Sequence, residues 1–531
     1  MNAKPGEHDL VIFEDDHLLV INKPAGLNTH APSPYAGEGI YEWLKNRESR
    51  WSKLAIIHRL DKETSGLMVF GKSAVANKSL TAQFATRKVH KVYLLITDKP
   101  ASFEQFTARS TLVRINDKYT SSKEKGDLAE TRFRKLGAVE TNPRLTLIEA
   151  QPLTGRTHQI RVHASENRFP ILGDSLYGGS PAPRLCLHAA ELRFEHPVAR
   201  KLLSFKAEPN FFENPRLALR VSLVDPAVTN AYRIIHGAAD AQPGLFVDRF
   251  GDWLLAQSER PLAQSQQGLL SDLMKVLGCR GAYHKLLRKD VQKAGTSEAS
   301  PQLITGDAAP EQWAIRENGI QFGIRFSEGY SVGIFLDQRD NRRRLLTGCV
   351  SPGISLPQGG EILNAFAYTC AFSVAAAKSG YRTTSLDLSR SYLEWGKENF
   401  RANGLNPEQH DFIYGDAFDW FRRLAKQNRL FDVVLLDPPT FSRSKEGAFQ
   451  AEKDYGNLVS SALPLIKRNG VLFASTNAAK LKPEDFLKTV TQSTAKANRR
   501  ILQQHYVPQP PDFPITRDQP GHLKTVWVHL S

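Results

Sequence analysis

The chain has 531 residues, 41% of them hydrophobic and 24% charged, with a formal net charge of +15. No apolar run approaches the roughly 20 residues of a membrane span. No charged-then-apolar leader opens the sequence, and the four cysteines lack CxxC spacing, which argues against a zinc site or a disulfide framework. The length suits three or four domains of roughly 150 residues. Residues 1–220 hold 33 Lys+Arg against 24 Asp+Glu, and the remainder holds 37 against 31. Both parts are basic, so no single tail explains the sum, and a polyanion, chiefly nucleic acid, is the favoured partner. A reducing cytoplasm is expected.

Residues 9–22 read as two short strands around an Asp-Asp turn, ended by Lys23-Pro24-Ala25-Gly26. Residues 40–46 and 74–87 have helical spacing. Lys88–Thr97 alternates like a strand, and more strands follow at 109–114, 129–135 and 144–150. Between two apolar runs lies His58-Arg59-Leu60-Asp61-Lys62-Glu63-Thr64-Ser65-Gly66. This packs His, Arg, Asp, Thr and Ser into a short turn, which buried segments rarely do unless those groups are paired or used. A second polar cluster runs Gly155-Arg156-Thr157-His158-Gln159-Ile160-Arg161-Val162-His163.

The order of these segments resembles the RluA-type RNA pseudouridine synthases over roughly residues 8–215. It runs Asn22-Lys23-Pro24-Ala25-Gly26, His58 to Gly66, Lys91-Val92-Tyr93, Gly155 to His163, and Pro170-Ile171 with Gly173-Asp174 and Tyr177-Gly178. The resemblance implies an α+β domain with a curved mixed sheet and a basic cleft, and it makes Asp61 the catalytic acid. The reaction detaches uracil from ribose, rotates it and rejoins it through carbon. A carboxylate serves either as nucleophile or as electrostatic support for an oxocarbenium ion, and the sequence leaves both routes open. By the same resemblance Arg161 pairs with Asp61, Tyr93 stacks on the flipped base or helps a proton transfer, and no cofactor or metal is required. Arg59, Thr64, Arg156, His158 and Gln159 are expected at the RNA. His58, His158 and His163 suit a hydrogen-bonding scaffold better than proton transfer.

Residues 208–229 hold three prolines and read as a boundary, with a linker at 216–229. Strands and tight turns follow from 230, with a helix near 264–277 and a strand near 281–286. Residues 293–313 are expected to form a flexible loop. A hairpin turns at Asn318-Gly319. From Glu361 strands and helices alternate, which marks a parallel α/β sheet with its ligand at the carboxyl ends of the strands. Asp387 ends the second such strand, and Phe431–Leu436 delivers Asp437-Pro438-Pro439-Thr440-Phe441.

Segment 228–531 resembles the RlmI/RlmK group of S-adenosylmethionine-dependent ribosomal RNA methyltransferases. Tyr232-Arg233, Gly237, Asp240, Pro243-Gly244-Leu245 and Asp248-Arg249 match that group's small middle domain. Phe335-Leu336-Asp337-Gln338-Arg339 with Asn341-Arg342 match the start of its catalytic domain, as do Leu386–Trp395 and Asp437–Lys445 within it. The likeness implies a small α/β middle domain at 230–313 and a doubly wound, Rossmann-like class I methyltransferase domain at 314–531, after a synthase domain at 1–215. S-adenosylmethionine is the implied cofactor. Asp387 is assigned to its ribose, Asp416 to its adenine, and Asn364, Phe366, Tyr368 and Thr369 to its methionine side; Asp437 and Phe441 are assigned to the target base.

Two departures stand out. Cys370 occupies a cofactor-loop position where the group usually has glycine. The thiolate that cytosine-C5 methylation requires is missing after the later strands. A nitrogen target is therefore favoured, guanine N7 first, with cytosine C5 as a rival and ribosomal RNA ahead of transfer RNA. The whole reads as a bifunctional RNA-modifying enzyme; a rival makes one half an RNA-binding module.

Overall fold

The computed structural model describes residues 10–122, 126–139, 142–287, 300–328, 331–444 and 447–531. The chain forms two compact units. One holds residues up to Ala31, Gly39–Leu44 and Lys53–Leu223; the other holds Pro32–Glu38, Lys45–Ser52 and Val224–Ser531.

The first unit is built on an 11-stranded mixed sheet. Its main path runs Val11–Glu14, Leu18–Lys23, Ser65–Gly71, Leu187–Glu195, His90–Thr97, Asn142–Pro152, Asp127–Val139, Gln105–Ile115 and Lys118–Ser122. The pairing of Leu187–Glu195 with Ser65–Gly71 is parallel, and the other pairings are antiparallel. Ser65–Gly71 is buried along its whole length, so it forms the floor beneath the polar turn that precedes it. Leu18, Val20, Leu67 and Val69 pack with Leu80 of helix Ala74–Ala85. A Leu or Val buried this way is stabilised by roughly 1.5–3 kcal/mol.

The expected linker at 216–229 is in part helical: Pro215–Leu223 forms a helix. Pro215 takes the first helical position, where a missing N–H costs nothing, and Asn214 Oδ1 accepts from the amides of Arg216 and Leu217. The proline that looked like a breaker is an initiator.

In the second unit a five-stranded sheet runs Ala231–His236, Leu245–Phe250, Trp253–Ser258, Gly281–Leu286 and Gln302–Gly306, covered by helix Gln264–Leu277. The last strand lies inside the stretch expected to be a flexible loop; residues 293–299 of that stretch lie outside the described residues. Gln302–Gly306 is an exposed edge strand, so it lacks the apolar alternation that marks a half-buried one. The hairpin Trp313–Glu317 and Ile320–Ile324 turns at Asn318-Gly319, both with positive φ, as a two-residue primed turn requires.

The seven-stranded sheet runs Asp411–Tyr414, Arg382–Asp387, Glu361–Ala365, Phe431–Leu436, Ile466–Thr476, Lys524–Leu530 and Ile501–Pro508. The first five are mutually parallel, Lys524–Leu530 runs antiparallel to them, and Ile501–Pro508 pairs antiparallel with Lys524–Leu530 and so runs with the first five. Side chains alternate between two cores, Val433 and Leu435 on one face and Val434 and Leu436 on the other. Strand order reverses between Glu361–Ala365 and Phe431–Leu436, which opens a crevice at their carboxyl ends.

Two candidate active sites

In the first unit, Ala55–Ile56 pairs with Ser65–Gly71, and the intervening turn carries Asp61. The turn is pinned from several sides. Thr64 N donates to Asp61 O at 3.1 Å. Thr29 Oγ1 donates to Leu60 O at 2.8 Å. The Lys23 ammonium, fully buried, donates to the carbonyls of Pro24, Leu27 and Lys62. Burial brings the Lys23 pKa down to about 7, with Glu63 and Asp61 opposing. His58 accepts from Val69 N at 3.1 Å and stacks on Phe84; burial holds its pKa down to about 3. His58 is scaffold.

Facing the turn is helix Gln159–Glu166, entered through His158 at φ +55°. Arg161 Nη1 lies 3.3 Å from Asp61 Oδ2, while Nε and Nη2 each donate to Asp174 at 2.8 Å. Asp174 is 1% exposed, and the Arg161 guanidinium also lies over the Tyr177 ring. The bidentate Asp174 contact fixes the fork and leaves one edge for Asp61. Asp174 is thus a functional residue that the sequence placed in a motif without giving it a role. His158 Nδ1 contacts Tyr177 Oη at 2.8 Å, and its Nε2 is 3.8 Å from Asp61. Tyr93 sits opposite Ala150 and Ala189, so small neighbours flank its ring. Burial, then the Asp61 charge, pushes its phenol pKa upward.

Two expected RNA contacts, Gln159 and Thr64, are buried in the structure, as is the expected scaffold residue His163. Gln159 is 3% exposed and its amide is fully used: Oε1 accepts from Thr154 Oγ1 and Arg156 N, and Nε2 donates to Glu130 O and Thr131 Oγ1. Thr64 is 2% exposed within the turn. His163 is bonded to Ser110 and Thr131. Buried polar groups need such partners, so Gln159 and His163 are structural residues, whereas the buried Thr64 hydroxyl has no hydrogen-bond partner among the described residues. Arg59 and Arg156 are exposed, and Arg156 reaches Leu128 O and Asp127.

Removing the Asp174 charge is the test of this pairing. Asp174→Asn leaves a buried guanidinium half-neutralised and is expected to destabilise the unit by about 3–5 kcal/mol, read as a lower denaturant midpoint.

In the second unit the carboxyl ends of the strands gather Asn364, Asp387, Asp437 and Ser475. The loop after Glu361–Ala365 holds three non-glycine residues in the left-handed region, Phe366 at φ +62°, Tyr368 at +48° and Cys370 at +61°. Each costs roughly 1–2 kcal/mol. The loop is held by Tyr368 N donating to Asp387 Oδ2 at 2.8 Å, Ala367 N to Leu386 O, and Asn399 Nδ2 to Thr369 O. Asp387 Oδ1 accepts from Ser389 N at 2.8 Å. Burial raises the Asp387 pKa, and these backbone donors oppose it. Each carboxylate oxygen keeps a further lone pair.

Asn364 Nδ2 donates to Ser373 Oγ, while its buried Oδ1 has no hydrogen-bond partner among the described residues. Thr369 is fully buried, its hydroxyl donating to Gly333 O and its carbonyl accepting from Asn399 Nδ2, so it supports the loop from within. Cys370 is fully buried against Gly396 of helix Arg390–Ala402. Burial pushes its thiol up to about 12, so it is no nucleophile at neutral pH. Asp416 Oδ1 caps helix Ala417–Lys426 by accepting from Phe418 N and Asp419 N. That explains an acid here without any ligand.

Asp437 Oδ2 accepts from Gln338 Nε2 at 3.2 Å. Gln338 also donates to Ser475 Oγ at 2.8 Å and accepts from Asn341 Nδ2. Burial, relieved by Ser475 and aggravated by Asp337, pushes the Asp437 carboxyl up to about 6. Phe441 is 40% exposed on a small hairpin, with Arg443 over its ring. Lys445 lies outside the described residues. Sequence reasoning gave Gln338 and Ser475 no role; the polar spacing of 337, 338, 341 and 342 was the available signal.

Two separate sites thus sit on two separate folds, an α+β mixed sheet and a Rossmann-like sheet. Comparison with known proteins agrees. The RNA pseudouridylate synthase family model matches residues 17–166, and the S-adenosylmethionine-dependent methyltransferase model matches residues 282–528. The putative ribosomal RNA large subunit methyltransferase YwbD of Bacillus subtilis is 32% identical over 58% of this chain and 77% of the relative. Ribosomal RNA large subunit methyltransferase I of Aeromonas salmonicida is 30% identical over 69% of this chain and 88% of its own. A crystal structure of a putative methyltransferase complexed with SAH shares 31% identity with a TM-score of 0.50, covering 57% of this chain and 76% of that one.

The chain is a fusion of an RluA-type pseudouridine synthase domain with an S-adenosylmethionine-dependent methyltransferase domain. It belongs to the ribosomal RNA large subunit methyltransferase family of RlmI type. Among the described residues no helix is long and apolar enough to cross a membrane.

Proposed function

We propose that both halves are active on ribosomal RNA in the cytoplasm, the first isomerising uridine to pseudouridine and the second methylating a base nitrogen, guanine N7 first. The working division is a synthase domain at 1–215, a linker at 216–229, a middle domain at 230–313 and a methyltransferase domain at 314–531. What carries the reading is that each site keeps an acid with its own partners: Asp61 beside Arg161 at 3.3 Å, and Asp437 beside Gln338 at 3.2 Å.

In the first half Asp61 acts on the ribose or the base, Arg161 aims it, and Tyr93 stacks on the extruded uracil. Extrusion costs roughly a few kcal/mol, offset by stacking and by phosphate contacts from Arg59, Arg156 and His158. No cofactor is assigned to it.

In the second half the residues fit S-adenosylmethionine. The orphan Asn364 Oδ1 suits its ammonium, and the remaining Asp387 lone pairs suit ribose hydroxyls. Phe366 and Tyr368 line the methionine side with the buried Thr369 holding the loop behind them, and Asp416 keeps one oxygen for the adenine. When bound, the cofactor supplies an electrophilic methyl group. Asp437 and Phe441 orient and stack the acceptor base. A guanine N7 lone pair lies in the ring plane, so positioning alone suffices. Cytosine C5 needs a thiolate, and Cys370, the cysteine of the cofactor loop, is buried and protonated.

The test is nucleoside-resolved mass spectrometry of ribosomal and transfer RNA from cells with and without the gene. Loss of one pseudouridine and one 7-methylguanosine is expected. Loss of neither mark overturns the reading, and loss of 5-methylcytidine replaces its second half.

A further inference from the structure

A second polar pair stands at the carboxyl edge of the methyltransferase sheet, and none of the roles assigned above uses it. His522 Nε2 lies 2.9 Å from Asp337 Oδ2. Asp337 belongs to the turn Leu336–Gln338, whose last residue donates to Asp437. Asp337 is near enough to Asp437 for its charge to raise that carboxyl. His522 precedes strand Lys524–Leu530 by two residues. That strand begins opposite Thr476, and Lys524 Nζ donates to Ala478 O, just past the end of Ile466–Thr476. Both members of the pair therefore sit where strands end and ligands bind.

The His522 ring is held in place while staying partly open to solvent. The His522 backbone amide is fixed by Gln509 Oε1 at 3.0 Å. Phe513 and His236 contact the ring. The His522 side chain is 35% exposed, whereas its neighbour His236 is 1% exposed. In the neutral ring a carboxylate beside Nε2 selects the tautomer in which Nε2–H donates to Asp337 and Nδ1 carries the lone pair.

A fixed acceptor has a use beside a purine that is being methylated. When N7 takes a methyl group the ring gains positive charge, and its N–H groups become more acidic. A hydrogen bond accepted from such an N–H strengthens as transfer proceeds, and only interactions of that kind accelerate the step.

We infer that His522, aimed by Asp337, accepts a hydrogen bond through Nδ1 from an N–H of the target purine and takes up charge as that base is methylated. This rests on the nitrogen-methylation reading above. The balance is simple. The N7 lone pair forms the new N–C bond as the S–C bond breaks, and sulfur keeps that electron pair. The N1 proton is shared with or passed to Nδ1, and Asp337 faces the resulting imidazolium.

The test uses the full-length protein, radiolabelled S-adenosylmethionine and large-subunit ribosomal RNA from cells lacking the gene. His522→Ala is expected to lower kcat for methyl transfer roughly a hundredfold. Affinity for S-adenosylhomocysteine, the unfolding temperature and pseudouridine formation should be unchanged, and millimolar imidazole should restore part of the rate. Asp337→Asn, which keeps the shape of the pair, should lower kcat roughly tenfold and serves if His522→Ala folds poorly. Full activity in both variants overturns the inference, as does a loss of rate matched by lost cofactor binding and stability. If the wild-type protein methylates a carbon, or no RNA at all, the parent reading falls and takes this one with it.

Discussion

In the Asp61→Asn protein, pseudouridine formation is expected to drop at least about a thousandfold while methyl transfer continues at the wild-type rate. The size follows from removing the one carboxylate placed to act on the sugar or base. The fold should be nearly indifferent. Arg161 keeps both of its 2.8 Å contacts to Asp174 when its longer contact to Asp61 is weakened, so a stability change within about 1 kcal/mol is expected. This is the opposite profile to Asp174→Asn, which strikes stability first. Mass spectrometry of RNA treated with each purified variant checks the rate, and a denaturant titration checks the fold. Pseudouridine at wild-type level in Asp61→Asn would remove the acid from the mechanism.

Asp437→Asn is expected to lose methyl transfer by about a hundredfold to a thousandfold and yet to unfold at a higher temperature. The Asp437 carboxyl is pushed up to about 6 from 3.8, chiefly by burial. Between those two values the folded protein binds more protons at this site than the unfolded chain does. Stability from this group is therefore greatest below about pH 4, falls as pH rises towards 6, and is lowest at neutral pH. The penalty at pH 7 is at most about 3 kcal/mol, which an uncharged amide of the same shape avoids. The variant should melt on the order of 5 °C above wild type at pH 7.5, and the gap should close as pH approaches 4. An unchanged or lower unfolding temperature at pH 7.5 would mean that the carboxylate is better solvated than its surroundings suggest. Stability given up for a charged acid is what an active site requires.

Much of this was legible in the sequence because local rules and chain order carried it. The buried strand Phe431–Leu436, the helix at 264–277 and the Asn318-Gly319 turn follow from periodicity and turn chemistry. Asp61 and Arg161, a hundred positions apart, are side by side. Burial was what the sequence hid. Gln159 and Thr64 look like ligands in a line of text, yet one is consumed by four internal hydrogen bonds and the other is buried within its turn. Asp416 is occupied as a helix cap. The same blindness worked in reverse for Asp174, Gln338 and His522, whose partners are fixed only when distant segments meet. Gln302–Gly306 escaped notice because an exposed edge strand has no apolar face to display.

The left-handed loop at 366–370 also bears on the order in which this protein can accept change. Cys370 occupies a conformation that glycine adopts freely, and its side chain fills the space that a Cβ on Gly396 would need, the Cys370 Cβ itself being 2.9 Å away. The two positions are therefore coupled. Gly396→Ala is blocked while residue 370 is cysteine and becomes admissible once Cys370→Gly has occurred. The reverse order passes through a clash. The fitness of either substitution depends on the other, so this pair forms a one-way step in the paths that mutation can take through the cofactor loop.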